Sequence, residues 1–352
     1  MTTVSNSSDG TNTRSHRPTM RQVAALAGVG IKTVSRVIND EAGVSTATYD
    51  KVTSAVNALG YQHDIYAGSL RRTDRRTLTL GLIVGNVANP FSGAVNRAVE
   101  DRAARRGIAV LAVSLDDDAR REQELVSALL RRRVDALILT TATANQSYLL
   151  PEIAHGTPFV FVDREPVGVE ADIVVSDNAI GAANATRHLL AAGHRRIAFL
   201  GDRHDIQTAS ERRRGFFDAL GEVGVPRDVV VAIDDIDDEL KARAAVTALL
   251  DLADPPTAIF SSQNLITVGA IRALHGRGVQ HSTALVGFDD LLLADMVEPA
   301  ITVIAQDPTA IGTIAADLAL ARLDGDRSPF ATHVVPTRLI VRGSGEIPPR
   351  AV

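Results

Sequence analysis

The spacing of apolar side chains changes character once along the chain. Between Thr19 and Leu59 they recur every three or four residues, the period of helices with one buried face. Thr19 and Gln22 have the T-x-x-Q spacing of a capping box, which predicts a helix start. Val23, Ala24, Leu26 and Ala27 would supply its apolar face. Gly28-Val29-Gly30 then breaks the helix, because glycine tolerates the backbone angles of a sharp turn. A second helix is expected from Ile31, with Val34, Val37 and Ile38 inward and Ile31, Lys32, Ser35, Arg36 and Asn39 outward. A third is expected over Thr46–Leu59, between the cap residue Ser45 and Gly60. On it Tyr49, Val52, Val56 and Leu59 share a face and can close a small three-helix core. Gln62 to Arg76 has few large apolar residues and four arginines, and reads as a linker.

From Thr77 the apolar residues gather in continuous runs: TLTLGLIV, IAVLAVS, DALIL and FVFVD, then RIAFLGD, VVVAI, TAIFS and TALVGFD. Helical stretches separate them. Strands buried on both faces read this way, with crossover helices between them. The expected fold class is a small all-α helix-turn-helix headpiece followed by an α/β core of two doubly wound parallel-sheet subdomains. Open α/β sheets bind ligands beyond the carboxyl ends of their strands. Asn89 lies in the first βα loop, Asp163 follows FVFV, Arg212 opens the helix after RIAFLGD and Asp289 follows TALVGF. Carboxylates and a guanidinium converging on a cleft can hold vicinal hydroxyls by charge-assisted hydrogen bonds. Taken singly, each could equally be a helix cap or a surface ion pair.

A second helix bearing basic and polar groups after a glycine turn suits a DNA major groove. Lys32 and Arg36 stand one turn apart and can reach the same groove. An arginine there can clamp guanine O6 and N7. The alternative is a solvated basic helix face. Charge favours DNA: residues 1–76 carry ten basic and six acidic side chains, whereas residues 77–352 carry 27 and 36. A basic head on an acidic body places only the head on phosphate.

The chain has no cysteine, which excludes disulfides and thiolate chemistry and suits a reducing cytoplasm. No apolar run approaches the roughly 20 residues of a membrane span. The polar stretch MTTVSNSSDGTNTRSHRP is not a secretory signal. Phosphate-loop, nucleophile-elbow and zinc-protease motifs are missing, the histidines lack metal-ligand spacing, and no cofactor or metal is expected. The acidic run Asp234 to Glu239 more plausibly caps a helix than binds calcium.

The order A-x-x-A-G-V-x-x-x-T-V-S-R-V-I-N, followed by Val44-Ser45 and Leu59-Gly60-Tyr61, resembles the headpiece of the lactose-repressor family of bacterial regulators. Downstream strings continue the resemblance in register: Gly81 to Val84, Asn89-Pro90-Phe91, Gly193 to Ala198, Val286 to Asp290 and Gln306-Asp307. Together they cover the chain from Pro18 to Gly343. The resemblance implies that Ile31, Lys32 and Arg36 read bases, and that Thr33, Ser35 and Asn39 meet phosphates. It implies a hinge at Ala67-Gly68-Ser69-Leu70-Arg71 whose leucine wedges into the minor groove. It implies ligand contacts at Asp163, Arg212, Asp289 and Gln306, with Gln263-Asn264 standing where the family usually has Asn-Asp. Gly30 replaces a usual capping serine or threonine, which costs only a few tenths of a kcal/mol.

The expected division is a disordered tail over 1–17, the helix-turn-helix domain over 18–62, a hinge over 63–76 and the core over 77–345. Within the core, 77–176 with 308–333 would form the first subdomain, and 177–305 with 334–345 the second. The expected function is a cytoplasmic, ligand-responsive regulator. It would most plausibly be a homodimeric repressor of carbohydrate genes that binds a pseudo-palindromic operator, with a sugar-like effector and no enzymatic activity. A periplasmic-type sugar-binding protein shares such a core but has no headpiece. A purine effector would want a ring-stacking platform, and the chain has no tryptophan.

Overall fold

The structure, a computed structural model, describes residues 18–38, 41–61 and 76–350. The chain divides into two compact units, Met1–Thr77 and Leu78–Val352. In the first unit α1 (Met20–Ala27), α2 (Ile31–Ile38) and α3 (Thr46–Leu59) pack around Val23, Ala24, Val34, Val37, Val52 and Ala55. The capping box at Thr19 and Gln22 is formed, and Gly28 ends α1 in the left-handed conformation at φ 66°. Gly30 has no side chain to cap α2; its carbonyl accepts the first helical bonds, from the amides of Thr33 and Val34. Two expected core members lie outside the core: Leu26 is 56% and Tyr49 43% exposed. The buried residues are Val23 and Ala24 on α1 and Val52 and Ala55 on α3. Asn39 and the hinge residues Ala67, Leu70 and Arg71 lie outside the described residues.

The second unit holds two six-stranded sheets. The first contains β1 (Thr79–Val84), β2 (Ala109–Ser114), β3 (Ala136–Leu139), β4 (Phe159–Val162), β5 (Asp172–Ser176) and β11 (Thr332–Val335), all parallel, in the order β11-β5-β4-β3-β1-β2. The second contains β6 (Ile197–Leu200), β7 (Val231–Ile233), β8 (Ala258–Ser261), β9 (Ala284–Phe288), β10 (Thr302–Ala305) and β12 (Arg338–Ile340), in the order β12-β10-β9-β8-β6-β7. Only β12 runs antiparallel, against β10.

Each sheet is covered on both faces. On the first, α4 (Pro90–Ala104) and α11 (Pro308–Leu323) pack one face, while α5 (Ala119–Arg131) and α6 (Leu150–Ala154) lie towards the other. On the second, α7 (Asn178–Ala191) and α8 (Gln207–Glu222) pack one face, and α9 (Glu239–Leu250) and α10 (Asn264–Arg277) the other. A Cβ at Gly312 of α11 would stand 2.5 Å from the Val95 carbonyl of α4. A Cβ at Gly215 of α8 would stand 2.0 Å from the Ala179 carbonyl of α7. These helices therefore lie closer together than any residue but glycine allows at those positions.

The chain passes between the lobes three times: from β5 to α7, from β10 to α11 and from β11 to β12. The second lobe continues past the expected end at 345. His188 meets Glu346 at 2.5 Å, His194 meets the Ile347 carbonyl at 2.8 Å, and Arg350 reaches Ser282. No helix among the described residues is long and apolar enough to cross a membrane.

Candidate DNA-binding helix and ligand cleft

On α2 the inward Val34 and Val37 are buried, which turns Ile31, Lys32 and Arg36 to solvent and leaves Thr33 and Ser35 half-buried. The exposed apolar group, at Ile31, is 42% exposed. Arg36 bends back over the following loop: its guanidinium lies 3.6 Å from the Glu41 carboxylate and donates to the Ala42 carbonyl at 3.4 Å. Both partners of that ion pair remain about half exposed.

In the core, Asn89, Asp163, Arg212, Gln263, Asp289 and Gln306 all line one cavity of about 360 Å³ between the lobes. Strand ends and helix starts put them there. Asp163 and Asp289 follow β4 and β9 with φ of 70° and 72°, a left-handed turn that aspartate tolerates better than most side chains. Their amides continue the sheet ladders, donating to the Val174 carbonyl of β5 and the Ile304 carbonyl of β10. Asn89 caps α4, accepting from the Phe91 amide at 3.0 Å. Gln263 caps α10 and also donates to Asp202 at 3.1 Å. Arg212 does not open its helix as expected; it sits in the second turn of α8, which starts at Gln207.

Arg212 is only 6% exposed. Its Nε donates to Asn178 and its Nη1 to the Ser262 carbonyl, both at 2.8 Å, and its plane lies 3.9 Å over the Phe288 ring. These contacts hold the guanidinium in one orientation. Gln306 donates to Asp289 at 2.7 Å, while its own Oε1 is buried and accepts from no group among the described residues. A buried acceptor without a donor is unfavourable until something supplies one.

Sequence reasoning passed over three further members of the wall, Asp117, Arg164 and Asp202. Arg164 pairs with Asp117 at 2.7 Å, lies 3.7 Å from Asp163 and donates to the Thr141 carbonyl. Asp202 ends the run RIAFLGD, so the strand-end rule that marked Asp163 and Asp289 would have found it. Burial pushes the Asp163 carboxyl up, opposed by Arg164 and Arg212 and reinforced by Asp289 and Asp117. Burial also pushes Asp202 up, against hydrogen bonds from the Arg203 amide and Gln263. The wall carries six aspartates, with Asp116 and Asp237 completing the set, against Arg164, Arg203 and Arg212. Arg203 is already forked onto Asp205. The lining is thus rich in acceptors and poor in uncommitted cations.

A helix-turn-helix unit on a two-lobed core with a polar cleft defines a ligand-controlled DNA-binding protein. The family model described as bacterial regulatory proteins, lacI family, matches residues 19–64, and that of the periplasmic binding protein-like domain matches 186–345. The chain is 35% identical to the HTH-type transcriptional regulator GalR of Salmonella typhimurium, over 94% of this chain and 96% of that protein. It resembles the crystal structure of the lac repressor dimer bound to operator and the anti-inducer ONPF, with a TM-score of 0.82 and 25% identity, over 94% of this chain and 99% of that one. It also resembles the transcriptional regulator CelR–cellobiose complex, with a TM-score of 0.66 and 32% identity, over 93% and 100%. The chain belongs to the lacI family of bacterial regulatory proteins. It is a ligand-responsive, DNA-binding transcriptional regulator and not an enzyme.

Proposed function

We propose that this regulator represses carbohydrate-related genes in the cytoplasm, binding a pseudo-palindromic operator as a homodimer and responding to a free sugar or similar polyol. The observation that carries the ligand class is the cleft wall. Asp163, Asp202 and Asp289 present carboxylates, and Gln306 presents an unpartnered Oε1, around a fixed Arg212. A sugar brings many donors to such acceptors, whereas a phosphate ester would meet six aspartates with the arginines already engaged. The cellobiose held by the CelR relative is in keeping with this reading.

Ile31, Lys32 and Arg36 are assigned to base edges, and Thr33, Ser35 and Asn39 to phosphates. Ala67, Leu70 and Arg71 are assigned to the minor groove as hinge. Two heads are needed because one reads only a few base pairs, so protein two-fold symmetry mirrors that of the operator. The test is a thermal-shift panel of pentoses, hexoses, polyols, their phosphates and purines, since a ligand of the folded state raises Tm. A free sugar should raise Tm and change operator affinity in a mobility-shift titration. A purine or phosphate ester acting alone would overturn the ligand class.

A further inference from the structure

Among the described residues, three contacts comprising four hydrogen bonds cross the cleft directly between the lobes. The Glu165 amide donates to Gln207 Oε1 at 2.8 Å, and Arg203 Nη1 donates to the Asp117 carbonyl at 3.3 Å. The third contact is double. Asn264 Nδ2 donates to Asn89 Oδ1 at 2.8 Å, and Asn89 Nδ2 donates to Asn264 Oδ1 at 3.2 Å. Asn89 heads α4 of the first lobe and Asn264 is the first residue of α10 in the second. Asn264 is 2% exposed, and Asn89 lines the cavity.

Among side chains of this length, only a carboxamide can give and accept at once. An aspartate at 264 could accept from Asn89 but, when ionised, could donate nothing back. It would also set a charge against Asn89 Oδ1. The substitution that looks like a weakened ligand contact in the sequence thus completes a reciprocal pair in the fold.

We infer that Asn89 and Asn264 form a clasp that biases the two lobes toward closure, through a bond in which no effector group takes part. They act as positioning residues: they set the resting balance between open and closed cleft on which an effector works. A ligand shifts that balance only by its preference for one geometry, so a built-in bias resets the ligand level at which the regulator responds. The inference rests on the cleft's being the effector site, yet its first readout needs neither effector nor operator.

Two substitutions break the clasp without disturbing its supports. Asn264→Ala leaves Gln263 to cap α10. Asn89→Ser keeps an oxygen to cap α4 but is too short to span the cleft. The cysteine-free chain allows spin labels at Glu124→Cys in α5 and Ala244→Cys in α9, one on each lobe, in the full-length protein diluted with unlabelled subunits. Pulsed dipolar spectroscopy should show the interlobe distance lengthening by more than about 2 Å, the scale of domain rearrangements. The open fraction should rise about tenfold, as expected for losing one or two neutral hydrogen bonds. The double variant should open no further than either single one. Unchanged distances in both variants, or fully additive opening, would overturn the clasp. Loss of effector binding with the distances unchanged would overturn it too, and would leave the effector site standing.

Discussion

The helix proposed to read DNA and the cleft proposed to hold the effector present their groups in opposite ways. On α2 the groups proposed to read bases stand out in solvent, and Arg36 is held by a half-exposed ion pair with Glu41 and one long bond to the Ala42 carbonyl. In the cleft Arg212, Asp289 and Arg164 are buried and Asn89, Asp163, Gln263 and Gln306 half-buried, and Arg212 is held in place by Asn178, the Ser262 carbonyl and the Phe288 ring. DNA arrives as a stiff polyanion that orders flexible cations at its surface, so little preorganisation is needed. A small ligand brings few atoms, and the protein must hold its donors and acceptors in place beforehand.

The largest expected effect tests the rigid side of that contrast. Arg212→Ala should lower effector affinity by roughly 1.5–3 kcal/mol, the contribution of a hydrogen bond to a charged group. It should also destabilise the core, because Asn178 and the Ser262 carbonyl lose their donor. Calorimetry and thermal melting would measure the two. Wild-type affinity with a lowered Tm would make Arg212 a structural residue only.

Arg36→Ala should cost about 1–3 kcal/mol on the cognate operator and relax selection at one base step, with no change in Tm. Mobility-shift titrations at fixed salt decide it. An equal loss on random DNA would make Arg36 a phosphate contact.

A smaller effect concerns protons. The Asp163 carboxyl of the free protein titrates above its ordinary 3.8 because burial disfavours its charge. A raised carboxyl lowers stability as pH climbs from 3.8 through the folded value, and ligand hydroxyls donating to the carboxylate reverse the shift. Binding should therefore release a proton in that window, and affinity should rise with pH across it. Calorimetry in buffers of differing ionisation heat should show the release in the wild type and a smaller one in Asp163→Asn, where only Asp202 still titrates high.

The smallest effect tests the loose side. Glu41→Gln should loosen Arg36, leaving only its long bond to the Ala42 carbonyl, and tighten operator binding by about 0.2–1 kcal/mol, the range of exposed ion pairs. The gain should fade as salt is raised, and one that survives high salt would point to a rearranged loop instead.

Periodicity and strand-end chemistry made most of this legible from the chain alone. The capping box, the three head helices and the positions of Asp163 and Asp289 follow from local rules. What stayed hidden depends on partners distant in sequence. β5 begins with Asp172, a poor strand residue, whose buried carboxylate is matched by two hydrogen bonds from Arg322, 150 residues later, and one from the Ala331 amide. β10 is a four-residue strand between two loops. Asn264 showed only as a departure from pattern, since its partner Asn89 lies 175 residues away.

The threefold passage of the chain also has a consequence for synthesis at the ribosome. One face of the first sheet is sealed by α11, whose Ile311, Ala315, Ala316 and Ala319 complete that core and lie against β3, β4 and β5. Strands β1 to β5 are translated by Ser176, but the part of that face over β3, β4 and β5 that α4 does not cover is sealed only by residues 308–323, after nearly the whole second lobe has been made. Domains otherwise fold as units in the order they emerge. Here the lobe made first must wait, with part of an apolar sheet face open, while the lobe made second gathers all its strands but the last. The nascent chain is therefore most prone to aggregate, and most in need of a chaperone, between those two points.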